Sequence, residues 1–82
     1  SCFVRIEITL PEIGDDSEDT ANVSSWLVRI GDVVNEGDDL VELTTDKAAF
    51  TVPSPHSGKV VEILAEEGVD VAVGDVLCIL DA

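Results

Sequence analysis

Methionine is missing altogether, at position 1 as elsewhere, and four basic residues stand against eighteen acidic ones in a chain of 82. The missing methionine sets the expectation of a piece excised from a longer polypeptide, with residues 1–82 forming one domain. The shortage of Lys and Arg leaves a formal net charge of −14. Phosphate-backbone binding rests on clustered positive charge, so nucleic acid is excluded as a partner, and anionic membranes are disfavoured for the same reason. No run of about 18 apolar residues occurs, and no basic segment followed by an apolar one opens the chain, so neither a membrane span nor a secretory leader is expected. There is one histidine, and the two cysteines, Cys2 and Cys78, share no metal-type spacing. Zinc, haem and thiol-protease chemistry therefore lack ligands or partners. Sustained helical periodicity is also absent.

What is present is a β pattern. Hydrophobic residues make up 45% of the chain, enough for one core but not for a buried catalytic cleft beside a scaffold, so a single module is expected; with no membrane span it is expected to be soluble, and the isolated domain is expected to be a monomer. Val4, Ile6, Ile8 and Leu10 alternate with Phe3, Arg5, Glu7 and Thr9, which is the period of a strand with one buried face. Pro11 ends that strand, and the segment through Asn22, with its run Gly14-Asp15-Asp16-Ser17-Glu18-Asp19, reads as a loop. Further strands are expected over residues 23–28, 33–34, 39–45, 48–52, 59–64, near Val71 and over 76–80. Gly31, Gly37, Gly68 and Gly74 read as turn residues that permit positive φ. Trp26 is the large core candidate. Cys78, inside Val76-Leu77-Cys78-Ile79-Leu80, behaves as a small hydrophobe; a disulfide to Cys2 stays open if the terminal strands are neighbours. The class is all-β, a sandwich or flattened barrel, whose acidic surface suits partners that present basic ones.

An internal repeat sharpens this layout. A shift of 37 positions aligns Val23 with Val60, Leu27 with Leu64, Gly31 with Gly68, Val34 with Val71, Gly37 with Gly74, Asp38 with Asp75, Leu40 with Leu77 and Leu43 with Leu80. A second match, at 42, pairs Ile8-Thr9-Leu10-Pro11 with Phe50-Thr51-Val52-Pro53. Each half is too small to bury its own apolar face, so the two must pack together. A two-fold axis between them would put the 45–48 tip and the chain termini at opposite ends. It would also bring the loop after Pro11 out near that tip. On this alignment the first-half loop is five residues longer than its counterpart, and the extra length is acidic.

Between the β-friendly runs on either side, Thr45-Asp46-Lys47-Ala48 reads as a hairpin tip carrying one of only two lysines. The bland alternative is a solvated turn. Lys59, opening a strand after Gly58, reads as a solvated edge charge, and His56, alone in the turn Pro53-Ser54-Pro55-His56-Ser57-Gly58, as a surface residue with no nucleophile to serve.

The tip, preceded by Gly31-Asp32-Val33-Val34-Asn35-Glu36-Gly37-Asp38 and followed by Pro53-Ser54-Pro55 and Gly58-Lys59-Val60, resembles a lipoyl domain. Such domains belong to the acyltransferase components of 2-oxo acid dehydrogenase complexes, and Leu10-Pro11-Glu12-Ile13-Gly14 is similar to their opening. The resemblance covers essentially the whole chain. It implies a flattened barrel of two four-stranded antiparallel sheets, with lipoic acid in amide linkage to Lys47 as a swinging arm. It implies a domain that is not itself an enzyme, with Asp46 and Ala48 read by the lipoate-attaching enzyme. The further partners it implies are a thiamin-dependent 2-oxo acid decarboxylase, the acyltransferase catalytic domain and dihydrolipoamide dehydrogenase, in a bacterial cytoplasm or a mitochondrial matrix. Asp15, Asp16, Glu18 and Asp19 are expected to help select the decarboxylase. Many relatives carry Glu where Thr44 stands here. The biotinyl carrier domains of the same fold usually set Met on both sides of their lysine, and this chain has Asp46 and Ala48 there. An unmodified structural or interaction domain is the remaining alternative.

Overall fold

The computed structural model describes residues 4–13 and 19–82. Among them are eight strands and no helix: β1 (Arg5–Thr9), β2 (Thr20–Trp26), β3 (Val33–Val34), β4 (Asp39–Thr44), β5 (Ala49–Pro53), β6 (Gly58–Ile63), β7 (Asp70–Ala72) and β8 (Val76–Asp81). They form two four-stranded antiparallel sheets, ordered β1-β8-β6-β3 and β5-β4-β2-β7. The inward residues, including Val23, Leu40, Leu43, Val60, Leu77 and Leu80, make one fully buried cluster between the sheets. Each such side chain contributes about 1.5–3 kcal/mol relative to exposure, so the platform is held from its middle and not from its loops.

The repeat is present in three dimensions. Exchanging β1 with β5, β8 with β4, β6 with β2 and β3 with β7 turns one strand order into the other. The ladders match in detail: Val23 pairs with Leu43 as Val60 pairs with Leu80, and each ladder is irregular at the next step, between Val23 and Ser25 and between Val60 and Glu62. Gly37 and Gly74 occupy equivalent turns at φ 95° and 93°, with open space where a side chain would begin, so the requirement for glycine there is conformational and not steric.

Four details depart from the sequence pattern. The β1/β5 correspondence is offset by 44 and not 42, because Leu10 exchanges hydrogen bonds with Gly74 and Asp75 as Ser54 does with Gly37 and Asp38. A two-residue slip keeps every strand side chain on its face, and Pro11 matches Pro53 or Pro55 equally well, so hydrophobic pattern alone could not choose. Counted from Pro55, the loop after Pro11 is seven residues longer than its counterpart, not five. The second departure is at residues 20–22, assigned to loop by pattern but forming the start of β2, where Thr20, Ala21 and Asn22 pair with Ala72, Val71 and Asp70. A single buried Ala between two polar residues is too short an alternation to register as a strand. Third, Trp26 is half-buried at the corner and packs against the core's rim, where its indole N–H donates to the Ala65 carbonyl at 2.6 Å; a fully interior indole would need that acceptor inside the core. Fourth, β1 starts at Arg5, and Val4 before it is 64% exposed.

Cys78 lies in the core as expected, opposite Ile8 of β1; Cys2 is outside the described residues. Ser54, which stands where the first half has Leu10, is buried. Its hydroxyl donates to the His56 carbonyl at 2.5 Å and accepts the His56 N–H at 3.4 Å, so the polar group is satisfied locally.

Candidate functional site

Strand β4 is central in its sheet, flanked by β5 and β2, and Leu40, Val41 and Leu43 are wholly buried along it. The strand leaves the core at Thr44, which pairs with Ala49 of β5 on one side and Asn22 of β2 on the other. Residues 45–48 then make the connection, with Asp46, Lys47 and Ala48 all exposed. The lysine thus projects from the end of a central strand with three wholly buried residues, a rigid base for a group that must reach outward.

The shape of the tip comes from one side chain. Thr45 N–H donates to the Ala48 carbonyl at 2.8 Å and closes the ladder. The Thr45 hydroxyl accepts from the N–H of Lys47 at 3.2 Å and of Ala48 at 3.3 Å, and donates to the Ala48 carbonyl at 3.3 Å. None of the described non-glycine residues needs positive φ, so the tip is unstrained. The role of Thr45 was missed in the sequence, although a hydroxyl residue opening a tight tip is the signature of a side-chain-to-backbone turn.

The ends of the molecule follow from the registers. Strand β2 starts beside Thr44, runs past the corner at Trp26, and the chain then delivers Val33 to Lys59, itself opposite Asp81. Val4 and Ala82 bond each other beyond that pair. Lys47 and the described chain ends therefore sit at opposite ends. At the lysine end the long loop begins and finishes: Leu10 is bonded to the β7–β8 turn, and the Asp19 carbonyl accepts from Val73 N–H at 2.9 Å. Asp19 is exposed there, whereas Asp15, Asp16 and Glu18 lie outside the described residues.

Beside the tip, Thr20, Ala21, Asn22, Thr44, Thr45, Asp46 and Asp70 line an open hollow of about 370 Å³. Asn22 Nδ2 donates to the Gly68 carbonyl at 2.9 Å and to Asp70 Oδ1 at 3.0 Å, which ties edge strand β7 to the base of the tip. Thr44 forms part of that rim. Lys59, by contrast, lies on β6 between β8 and β3, and the one ion pair among the described residues, Arg5 Nη2 to Glu62 Oε1 at 3.1 Å, belongs to that same sheet. Lys47 is exposed and in no ion pair with a described residue, which leaves its amine open to covalent attachment. His56 is exposed in its turn.

A family model described as "Biotin-requiring enzyme" matches residues 6–80. Over 79 residues, 96% of this chain, the sequence is 41% identical to the dihydrolipoyllysine-residue acetyltransferase component of the pyruvate dehydrogenase complex of Staphylococcus aureus, of which it spans 18%. The lipoyl domain of the 2-oxoglutarate dehydrogenase complex of Azotobacter vinelandii superposes with a TM-score of 0.71 at 29% identity, over 92% of this chain and 94% of that one. A single-chain, multi-domain long-chain acyl-CoA carboxylase superposes with a TM-score of 0.76 over 92% of this chain and 7% of its own, at 20% identity, a likeness of fold alone.

Proposed function

The chain belongs to the biotin/lipoyl attachment family, and from that premise we propose that it is a lipoyl carrier domain whose attachment residue is Lys47. The observation that carries this reading is the exposed lysine on the tip of the β4–β5 hairpin, at the end of the domain away from Val4 and Ala82. Lipoate is favoured over biotin by Asp46 and Ala48 on either side of the lysine, where a biotinyl domain usually has Met. The Staphylococcus aureus relative, named as a dihydrolipoyllysine-residue acetyltransferase component, agrees.

Attachment forms an amide between Lys47 Nζ and the carboxyl carbon of lipoate. A lysine ammonium is no nucleophile until it releases a proton, and a free carboxylate is no acyl donor, because oxide would have to leave. The amine must therefore meet a carboxyl already activated by the attaching enzyme, whose activating group leaves with the bond electrons. Asp46 and Ala48, exposed beside Lys47, are the residues that enzyme would read. Once bound, the dithiolane supplies the acyl-carrying and redox chemistry; the domain supplies position and reach and catalyses nothing itself.

The partners that follow are a thiamin-dependent 2-oxo acid decarboxylase, an acyltransferase catalytic domain and dihydrolipoamide dehydrogenase, in a complex of the kind named for the relatives. Their bacterial source favours a bacterial cytoplasm over a mitochondrial matrix. Asp15, Asp16, Glu18 and Asp19 would help select the decarboxylase, since both described ends of their loop emerge at the lysine end.

The test offers the unmodified domain to a lipoate-attaching enzyme with ATP and lipoate, and separately to a biotin-attaching enzyme with ATP and biotin. Intact mass is expected to rise by one lipoyl group in the first and to stay constant in the second. A biotin adduct without a lipoyl one would overturn the reading.

A further inference from the structure

We propose that Thr45 is the positioning residue of the attachment site: its hydroxyl, and not the backbone, holds the Asp46-Lys47-Ala48 tip in the one shape that the attaching enzyme accepts. The inference rests on Lys47 being the attachment residue and concerns what makes that lysine a substrate. A two-stranded ladder normally continues to its turn through backbone bonds in both directions. Here only one of them crosses the tip, from Thr45 N–H to the Ala48 carbonyl. The N–H groups of Lys47 and Ala48, which would otherwise have no protein partner, both go to Thr45 Oγ1, and the same hydroxyl returns a bond to the Ala48 carbonyl. A threonine hydroxyl has one proton to donate and two lone pairs to accept with, so its whole capacity is spent on this turn. Thr45 is also half-buried where Asp46, Lys47 and Ala48 are exposed, and it follows Thr44, the last residue of a ladder anchored by Leu43. The side chain therefore transmits the order of the core to three residues that bury nothing themselves.

The consequence is a division of labour at the tip. Asp46 and Ala48 offer surface to be read, whereas Thr45 fixes the backbone from which that surface and the lysine project. Without the hydroxyl the tip samples several shapes, and the apparent affinity of an enzyme that accepts one of them falls by the fraction populated. The loss belongs in KM, with kcat retained once the tip is captured.

Two substitutions separate this role from ordinary packing. Thr45→Val keeps the shape and β-branching and removes all three bonds; Thr45→Ser keeps the hydroxyl. On the unmodified domain, ¹⁵N relaxation is expected to give Lys47 and Ala48 order parameters near the rigid value of about 0.85 for native and Thr45→Ser, and below about 0.6 for Thr45→Val. With the lipoate-attaching enzyme, KM for Thr45→Val is expected to rise about tenfold at unchanged kcat, from the loss of these bonds, and Thr45→Ser to restore it. The thermal midpoint should be nearly the same in all three, because the tip buries little. A Thr45→Val tip as ordered as the native one, or a disordered tip modified with native KM, would overturn the proposal while leaving Lys47 as the attachment residue. Failure of the native domain to be modified would instead overturn the assignment of Lys47, and this role with it, whatever the order parameters.

Discussion

At the scale of single residues, Cys78 shows how the core protects a reactive group. It has no exposed surface, and burial pushes its thiol up from 9.0 to about 11. The thiolate is the reactive form, so the native domain is expected to leave Cys78 unlabelled by iodoacetamide at about pH 8, while the domain unfolded in guanidinium labels fully; peptide mapping keeps Cys2 separate. Equal labelling of native and unfolded chains would mean that β8 opens readily. The same shift makes stability depend on pH. Because the folded thiol holds its proton to a higher pH than the unfolded one, its contribution is complete below pH 9 and is lost as pH rises from 9 towards 11. At about 1.4 kcal/mol per unit the total is on the order of 2–3 kcal/mol. Urea melts across that window should show the decline in the native domain, and Cys78→Ala, though less stable throughout, should lack this part of the slope.

Among the elements, the connection between β1 and β2 carries the difference between the two halves of the repeat. Its seven additional residues relative to the second half include Asp15, Asp16, Glu18 and Asp19, and it starts and finishes at the lysine end. Charges on an exposed rim change association rate and its salt dependence more than they change fold. Replacing these four by Asn, Asn, Gln and Asn should therefore leave melting and lipoate attachment unchanged, and slow reductive acylation of the modified domain by the decarboxylase several-fold at low ionic strength. The difference should shrink between about 0.1 M and 1 M salt as the Debye length falls from ~10 Å to ~3 Å; equal rates at low salt would remove the loop from recognition. The sequence made the two sheets readable because Val23 and Val60, or Gly37 and Gly74, recur at one spacing, and a repeat constrains register in a way that strand propensity does not. Where the repeat was interrupted, at Pro11, the register was two residues off, since period-two alternation is blind to a slip of two. The tip position of Lys47 was legible because a short polar interruption between two β-friendly runs reads as a hairpin turn. The Thr45 hydroxyl was not, because side-chain bonds within a turn leave no trace in hydrophobic pattern, and Trp26 could not be placed because the pattern does not say where an indole N–H will find a carbonyl.

For the molecule as a whole, every feature serves one asymmetry: two sheets related by a pseudo-two-fold, with the described chain ends at one pole and a single lysine tip at the other. The symmetry mate of the tip would lie beyond Asp81, so the fold presents one hairpin and not two. Both lysines are exposed, so exposure does not distinguish Lys47 from Lys59, whereas the place of Lys47 on the hairpin tip does. On the proposed reading, amide formation at Lys47 would also remove the one positive charge among the described residues at that pole, and the loaded tip would suit partners with basic surfaces. The most direct measurement is peptide mapping by mass spectrometry of the domain co-expressed with a lipoate-attaching enzyme, beside the variants Lys47→Arg and Lys59→Arg. One lipoyl group on the Lys47 peptide is expected, retained in Lys59→Arg and lost in Lys47→Arg, with all three proteins melting alike because an exposed tip contributes little packing. A lipoyl group on Lys59, or one that survives in Lys47→Arg, would contradict the assignment of the hairpin tip as the attachment site.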